Sequence, residues 1–167
     1  MTNDSRPPVR LARPEDYPQL PSIEQAADRM FAEIGIVLPP EYVTPEDLAA
    51  AAHVLVIGDP IAGFAMLDVL DGEAHLAQIA VHPDRAGNGL GSALLVAAIA
   101  WAQAARYPAM TLTTFRDVPW NGPFYARRGF VEIPEADLAS GLREVRRHES
   151  EAGLDAFGPR IAMRQLL

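Results

Sequence analysis

Ile79-Ala80-Val81-His82-Pro83-Asp84-Arg85-Ala86-Gly87-Asn88-Gly89-Leu90-Gly91-Ser92-Ala93-Leu94-Leu95 is the stretch on which the reading of this chain turns. An apolar, β-branched run ends at His82-Pro83. Glycines then occupy alternate positions 87, 89 and 91, and a helical repeat starts at once. Leu90, Leu94, Leu95, Ala98, Ile99 and Trp101 keep helical spacing and predict a helix from Gly89 to Arg106. Glycine lets a backbone approach a ligand closely and adopt conformations closed to other residues. A helix start presents unpaired N–H groups and the positive end of the helix dipole. Strand, glycine loop and helix mouth, in that order, make an anion cradle suited to a pyrophosphate. The dinucleotide fingerprint Gly-x-Gly-x-x-Gly is excluded, because its last position falls on Ser92 or on Leu94. The Gly-Lys-Ser/Thr ending of a P-loop is also absent.

Working outward, Val9 to Ala12 reads as a short strand, and Pro14-Glu15-Asp16 opens a helical region with acids in its first turn. Leu20, Ile23, Ala27, Met30 and Phe31 give that region one apolar face, and Gly35 ends it. Thr44-Pro45-Glu46-Asp47 has the form of a helix start: a Thr cap, Pro at the first helical position and an acid at the third. Strands follow at Val54 to Ile57, Ile61 to Leu70 and Ala74 to Val81, the last two joined by Asp71-Gly72 as a hairpin. Beyond the central helix, Met110 to Phe115 reads as a strand and Pro123 to Arg128 as a short helix stopped by Gly129. Phe130 to Ile133 is a strand, Leu142 to Ala152 a helix and Ile161 to Leu166 a last strand. This order predicts an α/β (α+β) fold, a mixed sheet with helices on its faces.

Composition sets the outer bounds. A chain of 167 residues, 49% hydrophobic, is expected to form one domain over 9–167 behind a flexible tail at 1–8. There is no cysteine, which removes disulfides, thiolate metal sites and an acyl-cysteine intermediate. The net charge of −8 disfavours a nucleic-acid surface. The longest apolar run, Ala93 to Ala102, is too short to cross a bilayer, and the polar start has no signal-peptide core. The expected setting is the cytoplasm, with no membrane, nucleic-acid or metal partner.

The glycine stretch resembles the pyrophosphate-binding motif of the GNAT superfamily of N-acetyltransferases. A second signature, Asn121-Gly122-Pro123-Phe124-Tyr125-Ala126-Arg127-Arg128-Gly129-Phe130, is similar to that family's later motif through its Phe-Tyr-x-x-x-Gly-Phe core. The two occur in the family's order, and the element order from Val9 onward covers nearly the whole chain. The resemblance implies a mostly antiparallel central sheet with helices on both faces. It implies acetyl-CoA as co-substrate and direct acetyl transfer to an amine, either a small molecule or a protein N-terminus. A non-catalytic acyl-CoA sensor or scaffold is the alternative, and a homodimer is compatible with either. One departure stands out: the family loop often begins with Gln or Arg, and Ala86 occupies that place, with Arg85 one residue early.

The same resemblance assigns roles. Gly87, Asn88, Gly89, Leu90, Gly91 and Ser92 would hold the pyrophosphate, and Ile79, Ala80 and Val81 the pantetheine arm, with the Val81 N–H on the oxyanion. Tyr125 would protonate the departing thiolate, since a phenol of pKa about 10 keeps its proton at neutral pH. Asn121 would cap the short helix or touch the cofactor arm, and Arg128 would reach a CoA phosphate or solvent. Candidate bases are His75 and Glu73, which share one strand face. Glu24 on the first helix is a further candidate, and a water relay without a dedicated base stays open. The acceptor groove is expected along Phe31 to Tyr42, Thr113 to Phe115 and Pro134 to Pro159, the last segment being either a lid (134–159) or a surface helix.

Overall fold

The computed structural model describes residues 6–167, so residues 1–5 of the expected tail lie outside the described residues. Arg6 to Pro8 has no regular secondary structure. Seven strands form one sheet in the order β1-β2-β3-β4-β5-β7-β6. They are β1 (Val9–Leu11), β2 (His53–Ile57), β3 (Gly63–Leu70), β4 (Glu73–Val81), β5 (Ala109–Phe115), β6 (Val131–Ile133) and β7 (Arg160–Leu166). The helices are α1 (Leu20–Ala32), α2 (Pro45–Ala50), α3 (Leu90–Ala104), α4 (Gly122–Ala126) and α5 (Ser140–Glu151). The mixed, mostly antiparallel sheet expected from the sequence is present, and element ends differ from expectation by one to three residues over most of the chain. At the first helical region the difference is larger. A 3-10 turn, Pro14–Gln19, precedes α1, because Pro18 denies the chain an N–H where an α-helix would need one.

Contacts divide the chain into two compact units, one reaching to Asp68 and resuming over Gln78–Trp101, the other made of Val69–Ala77 and Ala102–Leu167. In the first unit, β1 and β3 flank β2 as antiparallel partners. Val54 to Ile57 are buried as a continuous run, as a strand covered on both faces requires. Leu20 and Ile23 of α1, Leu48 of α2, Val54, Val56, Phe64 and Ala80 form its core. The cap predicted at Thr44 is present: its hydroxyl accepts the Asp47 N–H at 3.1 Å, and the Asp47 carboxylate accepts the Thr44 N–H at 2.9 Å. Leu90, Leu94, Leu95, Ala98 and Ala102 make the buried stripe of α3. Trp101 stacks on His53 with ring centroids 4.8 Å apart.

The second unit is built on β5. It pairs antiparallel with β7 along its whole length and parallel with β4 at Ala74 and His75. The β3–β4 connection is the two-residue turn Asp71-Gly72, with φ of 54° and 77°. Positive φ at both positions marks a type I′ turn, which matches strand twist and joins antiparallel partners. Asp71 has a second duty. Its carboxylate accepts the N–H groups of Gly141 at 2.8 Å and Leu142 at 3.1 Å. The residue before α5 is Ala139, which has no side-chain oxygen, so α5 takes its cap from a turn 70 residues away. Leu138 and Leu142 then bury themselves against Ala162 and Ile133. Among the described residues no helix is long and apolar enough to cross a membrane.

Asp71→Ala removes the α5 cap and places a Cβ-bearing residue without a local hydrogen-bonding side chain at φ 54°. We expect a loss of about 2 kcal/mol in urea unfolding. Asp71→Asn, which tolerates the left-handed region and keeps one acceptor oxygen, should lose less than half of that.

Candidate functional site

In the first unit the glycine stretch folds as a strand end, a loop and a helix mouth. β4 ends at Val81, and the His82 N–H donates to the Ala62 carbonyl at 2.7 Å, which fixes where the chain leaves the sheet. A 3-10 turn, Pro83–Arg85, follows. The Asn88 Nδ2 donates to the Arg85 carbonyl at 3.0 Å and closes the loop on itself. Gly87 and Gly89 both take left-handed φ values, 81° and 73°. Only glycine does this without strain, so the alternate spacing is a backbone requirement. The first helical bond runs from the Ala93 N–H to the Gly89 carbonyl at 3.0 Å. The N–H groups of Leu90, Gly91 and Ser92 therefore precede intrahelical bonding. A first helical turn usually attracts an acidic side chain, and that of α3 has none. At Gly91 an added Cβ would come no nearer than 3.9 Å to Val81. This mouth fits a diphosphate: amides without helical partners, a positive dipole end and no side chain at Gly87, Gly89 or Gly91.

The same unit holds a buried carboxyl. Glu24 of α1 is 6% exposed. It accepts the Val43 N–H at 3.0 Å and the Gln78 side-chain amide of β4 at 2.5 Å. Burial pushes its pKa up to about 7, and the Asp28 charge adds to this, while the two amide donors pull the other way. Asp28, one turn further along α1, is raised by burial to about 6. Beside it lies a concave space of about 440 Å³, bounded by Ser22, Asp28 and Arg29 of α1 and by Ile36, Leu38 and Tyr42.

In the second unit, Tyr125 of α4 is buried, edge-on to Phe124 and Phe130. Burial lifts its phenol well above the ordinary tyrosine range, against a smaller opposing pull from Arg128. Asn121 does not cap α4 with its side chain; its Oδ1 lies 3.4 Å from the Phe115 N–H at the end of β5. Arg128 folds back over the Phe124 ring at 3.7 Å and donates to the Phe124 carbonyl.

His75 and Glu73 carry bonds of a different kind from those expected of a base. His75 is 4% exposed, its Nδ1 lying 2.9 Å from the Thr111 hydroxyl, directly opposite on β5. Both Glu73 oxygens are held by Arg164 of β7, the Arg164 Nε lying 3.1 and 3.0 Å away. These two residues tie β4 to β5 and β7. The sequence shows that they share a face but not that β5 and β7 line up beside them. Gln78, the partner of Glu24, escaped sequence reasoning because 54 residues separate the two.

The family model for the acetyltransferase (GNAT) family matches residues 14–130. Among solved structures, the chain is similar to N-acetylglutamate synthase from Neisseria gonorrhoeae, complexed with coenzyme A and N-acetyl-glutamate. The match has 21% identity and a TM-score of 0.72 over 95% of this chain, which spans only 34% of the synthase chain. It is similar to the PaiA N-acetyltransferase from Thermoplasma acidophilum in complex with coenzyme A, at 16% identity and TM-score 0.66, covering 95% of this chain and 98% of that one. It is similar also to the ribosomal-protein-S18-alanine N-acetyltransferase from Escherichia coli, at 20% identity and TM-score 0.66, covering 95% and 92%. At these identities the structures speak to the fold.

The position of Glu24 has a thermodynamic consequence. Its folded pKa of about 7 lies above the ordinary carboxyl value of 4.5, so the folded state binds the extra proton between those limits. Its contribution to stability is complete below pH 4.5 and is lost as pH rises through 7. Glu24→Gln cannot ionise and keeps an acceptor for Val43. It should be more stable than the parent by about 1–2 kcal/mol at pH 8 and indistinguishable from it at pH 4.5, measured by urea unfolding at both values.

Proposed function

Because the chain belongs to the acetyltransferase (GNAT) family, we propose that it moves an acetyl group from acetyl-CoA directly onto an amine. The observation that carries the donor half is the mouth of α3, where the Leu90, Gly91 and Ser92 amides lie ahead of the first helical bond behind two left-handed glycines. These amides hold the diphosphate. The N–H of Val81 donates to the thioester oxygen as it gains charge, and the backbone from Ile79 to Val81 pairs with the pantetheine arm. The chain has no cysteine to carry the acyl group, which favours attack by the acceptor itself.

An ammonium has no lone pair, so the acceptor must first lose a proton. Glu24 takes it, directly or through a water. A carboxyl with a pKa of about 7 is ionised in half the molecules at neutral pH and is a far stronger base than a surface glutamate. His75 and Glu73 are set aside for this role, given their ties to Thr111 and Arg164. The amine lone pair then forms the C–N bond, the oxyanion collapses, and the C–S bond breaks with its electron pair on sulfur; the nitrogen sheds its remaining excess proton, which restores the proton that Tyr125 gives to sulfur. Tyr125 donates a hydrogen bond to that thiolate as it forms and gives up its proton as the phenol is reprotonated; burial keeps the phenol un-ionised at neutral pH. Asp28 lines the space beside α1. As a carboxylate above pH 6 it attracts a cationic amine, whether a small molecule or a protein N-terminus.

Thiol release from acetyl-CoA, screened over small amines, amino-acid derivatives and peptides, tests this reading. Turnover should rise with pH to a plateau above about 7. Glu24→Gln should lose that limb and about 10²-fold in kcat/KM. Tyr125→Phe should lower kcat about tenfold; an unchanged kcat would remove Tyr125 from the reaction. Tight coenzyme A binding with no thiol release from any amine would leave a non-catalytic binding module in place of an enzyme.

A further inference from the structure

Ala86 leaves the start of the phosphate loop without a polar side chain. At the other end of the loop, where it enters α3, the structure brings in a cation from elsewhere in the same unit. A Cβ added at Gly89 would lie 3.0 Å from the Arg6 Nη1 and 3.5 Å from its Cδ. The guanidinium arm of Arg6 thus lies along the face of Gly89, at the point where the chain turns into α3. The approach is set by short, stiff chain. Only Pro7 and Pro8 separate Arg6 from β1, and β1 is pinned to β2 from Val9 opposite Ile57 onward. Consecutive prolines fix φ and favour an extended course, so the direction in which Arg6 leaves the sheet is largely predetermined. The loop amides carry only partial charge, whereas a diphosphate carries full negative charge. A guanidinium supplies a full positive charge and a planar fork of donors that matches phosphate oxygens.

Resting on the acetyl-CoA reading above, we infer that Arg6 is the cationic clamp for the donor's diphosphate, taking over from the N-terminal arm the duty that Ala86 cannot perform. Arg6 and the residue 89 amide region would then grip the same phosphates from side chain and backbone. The clamp contributes binding and positioning; it takes no part in proton transfer.

The test is calorimetric titration of coenzyme A and of 3′-dephospho-coenzyme A into the wild-type chain, Arg6→Ala and Arg6→Lys, at 50 and 300 mM salt. Arg6→Ala should weaken both ligands about tenfold at low salt and by a smaller factor at high salt, since an exposed charge is screened. Arg6→Lys should recover part of the loss, because charge remains and the fork does not. Affinities within twofold of wild type, or tighter, for Arg6→Ala would overturn the clamp. So would a loss confined to coenzyme A, which places the arginine on the 3′-phosphate, and so would a loss indifferent to salt. If the wild-type chain binds neither ligand, the donor reading itself fails, whatever Arg6 does.

Discussion

A helix mouth whose first amides lie ahead of the intrahelical bonding is the constraint from which the rest of the first unit follows. Helices satisfy such groups with a capping side chain or water, and unpaired donors kept from water are costly. The first turn of α3 carries no acidic residue, and the loop before it uses two glycines in left-handed conformations. Everything stabilising is displaced to the flanks. His82 ties to Ala62, Asn88 ties to Arg85, and Leu90, Leu94, Leu95 and Ala98 bury the helix body. The result is an apolar rod with a polar, electropositive end, held firmly enough that the end need not collapse onto a protein side chain. Contrast α5, where the same problem is solved internally: the Asp71 carboxylate occupies the position that an anionic ligand would take.

Carboxylates in this chain show how environment divides one functional group into different duties. Burial pushes both Glu24 and Glu149 toward the neutral form. Glu149 lies between Arg160 and Arg146 and also accepts from the Thr113 hydroxyl, and together these outweigh burial, so its pKa falls below the ordinary value. Glu24 has only amide donors, from Val43 and Gln78, and ends near neutrality. The difference is a matter of partners. A carboxylate facing a guanidinium is fixed in charge over the whole working range, and serves architecture. One facing amides can change charge at neutral pH, as the base proposed above must.

Local periodicity and turn chemistry made most elements legible in the sequence. The alternate glycines, the Thr44 box and the Asp71-Gly72 turn each impose a backbone conformation on their own residues, so nothing distant is needed to read them. What stayed hidden depends on pairs far apart in the chain. His75 was legible only as sharing a strand face with Glu73, but β5 lies alongside it and puts Thr111 opposite, so it is interior. Alternation along one strand says which residues share a face and nothing about which strand comes next. Glu24 was visible only as a glutamate on an amphipathic helix, because its burial depends on Val43 and Gln78. The stretch before β1 read as tail because its composition is polar, yet the Arg6 side chain reaches Gly89.

Glu24 and Asp28 sharpen the point about acceptors. Like charges at i and i+4 on a helix repel, and burial strengthens the repulsion by lowering the dielectric around both. Burial raises both groups, Glu24 to about 7 and Asp28 to about 6, and at Glu24 the Asp28 charge adds to the effect. Above those values the pair adds negative charge to α1, and Asp28, with Arg29 next to it, lines a concave space of about 440 Å³. On the proposed reaction, an arriving ammonium supplies a counter-charge and at the same moment offers the proton that Glu24 accepts. Transfer of that proton neutralises Glu24 and leaves the amine uncharged, so the attraction that drew the acceptor in weakens as it becomes nucleophilic. Binding energy is then released toward the reaction instead of stabilising the bound ammonium, which is the economy that a transferase acting on protonated amines requires.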